Sequence, residues 1–162
     1  MANFIWSVVN AFIGEYSFRD DNDNQIGTLK FPDINKIIAQ ASSGPFNWTF
    51  GRSGFPGAHI EIRTTDNPPQ NVAALDFNIF GDSTFNVSGS LYRWNRVWAL
   101  SPDWLFRNDM GKELIIFSPS KSQANFFVKV KTQSDADSLS ERDRVLMELL
   151  GFYVLIVLKE FS

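Results

Sequence analysis

Val145-Leu146-Met147-Glu148-Leu149-Leu150-Gly151-Phe152-Tyr153-Val154-Leu155-Ile156-Val157-Leu158 is the stretch that decides how the rest of this chain must fold. It is apolar on every face, and only Glu148 and Gly151 interrupt it. An acidic run, Asp135-Ala136-Asp137, and polar residues through Arg144 lead into it, and Lys159-Glu160-Phe161-Ser162 follows. As a helix it spans roughly 21 Å at about 1.5 Å per residue. A bilayer core is about 30 Å thick and needs about 20 apolar residues, so the stretch is short for a membrane span. A helix that is apolar all round must nevertheless be buried somewhere.

What lies upstream says where. Short apolar or alternating runs are punctuated by Gly, Pro, Asn and Asp. The expected strands are Phe4–Val9, Glu15–Arg19, Gln25–Phe31, Lys36–Ala41, Phe46–Phe50, His59–Thr64, Val72–Phe80, Thr84–Ser88, Leu91–Leu100, Trp104–Arg107, Glu113–Phe117 and Ala124–Lys131. Their even spacing and the absence of a βαβ rhythm indicate a sandwich or barrel. About a dozen strands followed by one apolar helix have an economical solution. The sheet closes into a barrel too wide for its own side chains to fill, and the helix plugs it. Strands of six or seven residues, tilted about 40°, give a wall of roughly 15–18 Å, comparable to the helix. The expected fold is therefore one mostly-β domain over residues 1–162, a closed antiparallel barrel of about 12 strands around a central helix at 138–159.

Composition agrees with one soluble core: 162 residues, 44% hydrophobic, with sixteen Phe and five Trp to fill a wide barrel. A net charge of −3 argues against a general nucleic-acid binder, which concentrates Lys and Arg. Cysteine is absent, which removes disulfides and thiolate chemistry. Met1–Trp6 carries no basic n-region and Asn10 breaks its apolar run, so it does not read as a signal peptide. The expected location is cytoplasmic, peripheral to the membrane if lipid is bound.

The chain also echoes itself. Glu15-Tyr16-Ser17-Phe18-Arg19-Asp20-Asp21 resembles Asp103-Trp104-Leu105-Phe106-Arg107-Asn108-Asp109, and a second apolar strand follows each. A strand, an Asx turn and a second strand explain each copy, and the pair suggests a barrel of two related halves.

Hairpins of the type aromatic–x–Phe/Ile–Arg–Asp–x–x–Gly, Gly111-Lys112-Glu113-Leu114, the strand Phe126–Lys131, Asp135-Ala136-Asp137 and Gly151-Phe152-Tyr153-Val154 are the elements read here, in that order. The order resembles the tubby-like barrel superfamily, which includes the tubby C-terminal domain, the LURP-one-related proteins and the phospholipid scramblases. The local likeness is to scramblases and covers roughly residues 100–162. The resemblance implies a closed twelve-stranded barrel around the C-terminal helix, and lipid-linked or regulatory roles rather than catalysis.

In scramblases the Asp-Ala-Asp segment begins a proposed calcium loop. Here Asp135, Asp137, Glu141 and Asp143 are the candidate Ca²⁺ ligands, since calcium takes six to eight oxygens. Leu139 replaces the family's aromatic, and the run to the helix is shorter. The plainer account is two overlapping capping boxes, Ser138-x-x-Glu141 and Ser140-x-x-Asp143, with acids favouring a helix start. Asp20–Asn24 fails as an EF-hand loop, because Ile26 and Pro32 stand at its sixth and twelfth positions counted from Asp21.

For a lipid headgroup the candidates are Lys121, Lys129, Lys131, Arg93 and Arg96, with an anionic phospholipid or phosphoinositide surface as the partner. Lys129 and Lys131 fall on one face of a strand, with Phe126, Val128 and Val130 on the other. Tyr92-Arg93-Trp94-Asn95-Arg96-Val97-Trp98 mixes cations with interfacial aromatics. The plainer account is an ordinary polar exterior, with Trp94 and Trp98 pointing inward.

Catalysis has little to stand on. His59 is the only histidine, and no Gly-x-Ser-x-Gly or phosphate-cradling motif occurs. A Ser–His–Asp arrangement stays open, because its members meet only in space. A non-enzyme without a cofactor is expected. The alternatives are a barrel for a small apolar ligand, which needs an open lumen, or a carbohydrate binder, which needs Trp48, Trp94, Trp98 and Trp104 in an exposed row.

Overall fold

The computed structural model describes residues 2–10, 14–32, 37–53, 59–78, 82–122 and 125–159. Twelve strands follow one another: β1 (Ala2–Asn10), β2 (Glu15–Asp20), β3 (Gln25–Lys30), β4 (Ile38–Ser43), β5 (Phe46–Ser53), β6 (His59–Thr64), β7 (Asn71–Asp76), β8 (Ser83–Val87), β9 (Ser90–Arg96), β10 (Trp104–Arg107), β11 (Glu113–Ser122) and β12 (Asn125–Thr132). A 3-10 turn, Ser134–Ser138, precedes the helix α1 (Glu141–Lys159). Each strand pairs antiparallel with its neighbours in sequence, and β1 pairs with both β2 and β12, which closes the barrel.

The expected strands are all present, in order. Lys36, Phe80 and Ala124, at the ends of three of them, lie outside the described residues. Among the described residues β5 runs on to Ser53 and β7 stops at Asp76, and two further boundaries moved for reasons that the contacts show. β11 runs on through Pro119 because β10 stops pairing at Trp104↔Phe117; beyond that only β12 flanks β11, and a residue lacking an N–H is tolerated on the open side. β9 stops at Arg96, short of the expected Leu100, because the Val97 N–H donates to Asp103 O and the Ser101 N–H donates to Trp98 O, which turns the chain.

The internal echo is real in the turns. The Asp20 carboxylate accepts the N–H groups of Asn22 and Asn24, and the Asn108 side-chain oxygen accepts those of Met110 and Lys112. Asp23 and Gly111, each three residues further on, both have positive φ. The two hairpins are eight strands apart along the chain, however, not the six that two equal halves of a twelve-stranded barrel require. The duplication therefore belongs to the hairpin, and the expectation of two related halves is corrected.

The helix begins at Glu141 rather than at residue 138. Ser138 Oγ donates to Asp135 O within the 3-10 turn, whereas Ser140 caps α1 by accepting the Asp143 N–H at 3.1 Å. The Asp143 carboxylate accepts from Ser88 Oγ at 3.2 Å, and Arg142 donates to the same hydroxyl. Ser88 and Gly89 form the two-residue turn between β8 and β9, both at positive φ. The start of the helix is thus tied to one end of the barrel, the entry end, where the β2–β3, β8–β9 and β10–β11 turns lie. It leaves at the opposite, exit end.

Between those ends α1 is buried on every side: Leu146, Met147, Leu149, Leu150, Phe152, Tyr153 and Val154 are each at most 1% exposed. Trp6 of β1 stacks flat on Phe152 at 4.5 Å and on Phe18 at 4.7 Å. Tyr153 packs between Phe31 and Phe50 and donates to Ile37 O at 2.6 Å. The helix meets the wall most closely at Gly151, where an added Cβ would lie 2.2 Å from the Phe117 ring. That ring is wedged against Trp94 and Phe106. Gly151→Ala gains about 1 kcal/mol of helix propensity and loses about 1–3 kcal/mol to overpacking. We expect net destabilisation in urea unfolding, partly relieved when Phe117→Leu is added.

Candidate functional site

With the lumen occupied by α1, the side chains free to meet a ligand are on the outer wall and at the two ends. β12 alternates as expected. Val128 and Val130 are buried and Phe126 packs against the core, while Lys129 and Lys131 are exposed. Neither lysine forms an ion pair with a described carboxylate. They stand opposite Ile5 and Asn3 of β1 and opposite Ser118 and Ile116 of β11. Together with Asn3, Ile5 and Ser118 they line a shallow cleft of about 550 Å³ whose far lip is the β2–β3 turn. The acids of that lip are largely engaged: the backbone N–H groups of Asn24 and Asn22 hold the Asp20 carboxyl below the ordinary range, and Asp23 pairs with Arg19.

The other cationic candidates are not gathered with these. Arg93 pairs with Asp82, which also binds Asn95. Arg96 donates to Ser101 O at 3.1 Å and lies over the Trp104 ring at 5.2 Å. The side chain of Lys121 lies outside the described residues. Trp94 is buried as expected, but Trp98 is not inward: it is 59% exposed, in the loop where the chain has already left β9. Its spacing of four from Trp94 would place both on one face only if the strand continued. The turn signal Ser101-Pro102 was the clue that it does not. Of Trp48, Trp94, Trp98 and Trp104 only Trp98 is exposed, so these four make no exposed row.

Asp135 and Asp137 are exposed on the 3-10 turn, Glu141 is exposed at the helix start, and Asp143 is buried against Ser88. Among the described residues no three acidic or histidine side chains come together as a metal site. Ser53, His59 and Asp76 occupy one cross-strand row of β5, β6 and β7. His59 Nδ1 lies 2.6 Å from Asp76, but Nε2 points at Glu61, 3.7 Å away, and not at the serine. This row therefore lacks the nucleophile–base contact that activates a serine.

One buried ionisable group escaped sequence reasoning except as an interruption. Glu148, 1% exposed, projects from α1 to accept from Thr132 Oγ1 at 2.7 Å and from Arg144 at 3.1 Å. Its backbone carbonyl accepts from the Trp6 indole N–H at 3.2 Å. Burial pushes its carboxyl above the ordinary range, and the bonds from Thr132 and Arg144 oppose that only in part.

Compared with protein-family models, curated proteins and solved structures, the chain matches none. No helix among the described residues is long and apolar enough to cross a membrane.

The raised Glu148 pKa gives a signed prediction. Below the carboxyl's unfolded-state pKa both states are protonated and no penalty exists. As pH rises past that value the unfolded chain loses the proton first, and stability falls until the folded-state pKa is passed. Glu148→Gln removes this fall. Urea unfolding at about pH 5 and about pH 8 should show the variant gaining on the parent at the higher pH.

Proposed function

We propose that this barrel is a non-catalytic binding module that associates from its outer surface with anionic phospholipid or phosphoinositide membranes, similar to LURP-one-related and scramblase-like members of the tubby-like superfamily. The observation that carries the reading is the pair Lys129 and Lys131, exposed side by side and without an acidic partner among the described residues. Two free cations two residues apart on one strand present their charges to the same surface. Support also comes from the filled lumen, which takes away the space that a small apolar ligand would need. The order of hairpins, acidic link and apolar helix along the sequence resembles that of the superfamily.

An anionic surface attracts each nearby lysine by about 1 kcal/mol, an attraction that salt screens. Co-sedimentation with neutral, phosphatidylserine-containing and phosphoinositide-containing vesicles tests the proposal. Binding should require anionic lipid, fall as salt rises and persist in chelator. Lys129→Glu with Lys131→Glu should weaken it by about thirtyfold or more. A chain that ignores anionic vesicles, or binds them equally with both lysines reversed, would sink this reading.

A further inference from the structure

The exposed apolar side chains of this protein are not scattered. Among the described residues Val9, Ile37, Ile38, Trp98, Leu100, Val72 and Met110 are the large apolar residues in the exposed class. The first five lie at the exit end; only Val72 and Met110 lie at the entry end. Val9 stands near the end of β1, Ile37 and Ile38 lead into β4, and Trp98 and Leu100 tip the loop from β9 to β10. Around the barrel they mark the arc from β4 through β3, β2, β1, β12 and β11 to β10. The middle of that arc is the β1–β12 seam, whose outer face carries Lys129 and Lys131.

The heights also match. Lys129 pairs with Ile5, four residues below Val9 on β1, which on a tilted strand is roughly 10 Å below the rim. An apolar surface resting at a bilayer interface sinks about 5–10 Å into the headgroup–acyl boundary. With the rim at that depth, the lysine stem reaches the phosphate layer. Charge is arranged in the same sense. Exposed Asp66, Asp109, Asp135 and Asp137 sit at the entry end, away from such a surface, while Asp21 and Asp23, also at that end, form the far lip of the cleft that Lys129 lines. At the exit end Glu15 is paired with Lys30, Asp76 with His59 and Asp82 with Arg93, and the half-buried Asp103 of the β9–β10 loop is the described acid there without an ion pair.

We infer that the exit-end rim is a membrane-docking surface: Trp98, Leu100, Val9, Ile37 and Ile38 enter the headgroup–acyl boundary of a phospholipid bilayer, with the β1–β12 side down and Lys129 at the phosphates. The inference rests on the lipid-surface reading above and adds to it the insertion site and the orientation. Tryptophan at the headgroup level and leucine below it is the distribution that an interface selects.

The test uses the full chain and vesicles of phosphatidylcholine with phosphatidylserine. Trp98 is the only tryptophan in the exposed class, so brominated phosphatidylcholine should quench its fluorescence in the parent. An unquenched Trp98 in the vesicle-bound parent overturns the rim, and Trp98→Ser with Leu100→Ser should lower vesicle affinity about tenfold or more. Both residues are exposed, so the variant should keep the parent's near-ultraviolet dichroism and unfolding midpoint. Unchanged affinity in the folded double variant overturns the rim, whatever the lysine variant does; loss only on reversing Lys129 and Lys131 leaves the lipid-surface reading standing. A parent that binds no vesicle overturns both.

Discussion

Everything in this fold depends on one constraint, that a helix apolar around its whole circumference has to be surrounded. No single sheet face can do that, because a flat sheet covers one side of a helix and leaves the other in water. A closed barrel covers all sides at once, but only if it is wide enough to admit a helix with its side chains, and eight strands are too few. The twelve strands, the closure of β1 on β12 and the bulky inward residues Trp6, Phe18, Phe50, Phe85, Trp94, Phe106 and Phe117 follow from that requirement. The helix is in turn shaped by the wall: Gly151 is small where Phe117 is large, and Tyr153 finds an acceptor for its hydroxyl at Ile37.

This constraint made the architecture legible from residues alone. Strand existence came from alternation, and alternation survives because each wall strand has a core face. Boundaries were less legible, because they are set by partners. Pro119 ends a strand in isolation yet sits within β11, since β10 is too short to need its N–H. Trp98 continues the β9 pattern yet is exposed, since the chain turns at Ser101. The cap was legible as two overlapping boxes, and the choice of Ser140 over Ser138 was made by the Ser88 turn, 55 residues away from Asp143.

The candidate site was legible in half. The facing of Lys129 and Lys131 follows from strand parity alone. That Arg93 and Arg96 are already occupied depends on Asp82, on the Ser101 carbonyl and on the Trp104 ring, contacts that no local pattern specifies. Glu148 was visible only as a polar interruption. Its partners Thr132 and Arg144 give it an address in the lumen and keep a carboxyl where the surroundings favour the neutral acid.

The seam between β1 and β12 has a further consequence, for the order of events during synthesis. The indole of Trp6 waits for the carbonyl of Glu148, 142 residues later, and β1 waits for β12 along one whole edge. At about 5–20 residues per second a nascent chain leaves that edge unpaired, and the inner faces of eleven strands unfilled, for on the order of 10 s. Its last helix is made after everything it supports. Such a polypeptide meets the ribosome exit and its chaperones as an open, sticky sheet, and becomes a barrel only when the plug emerges.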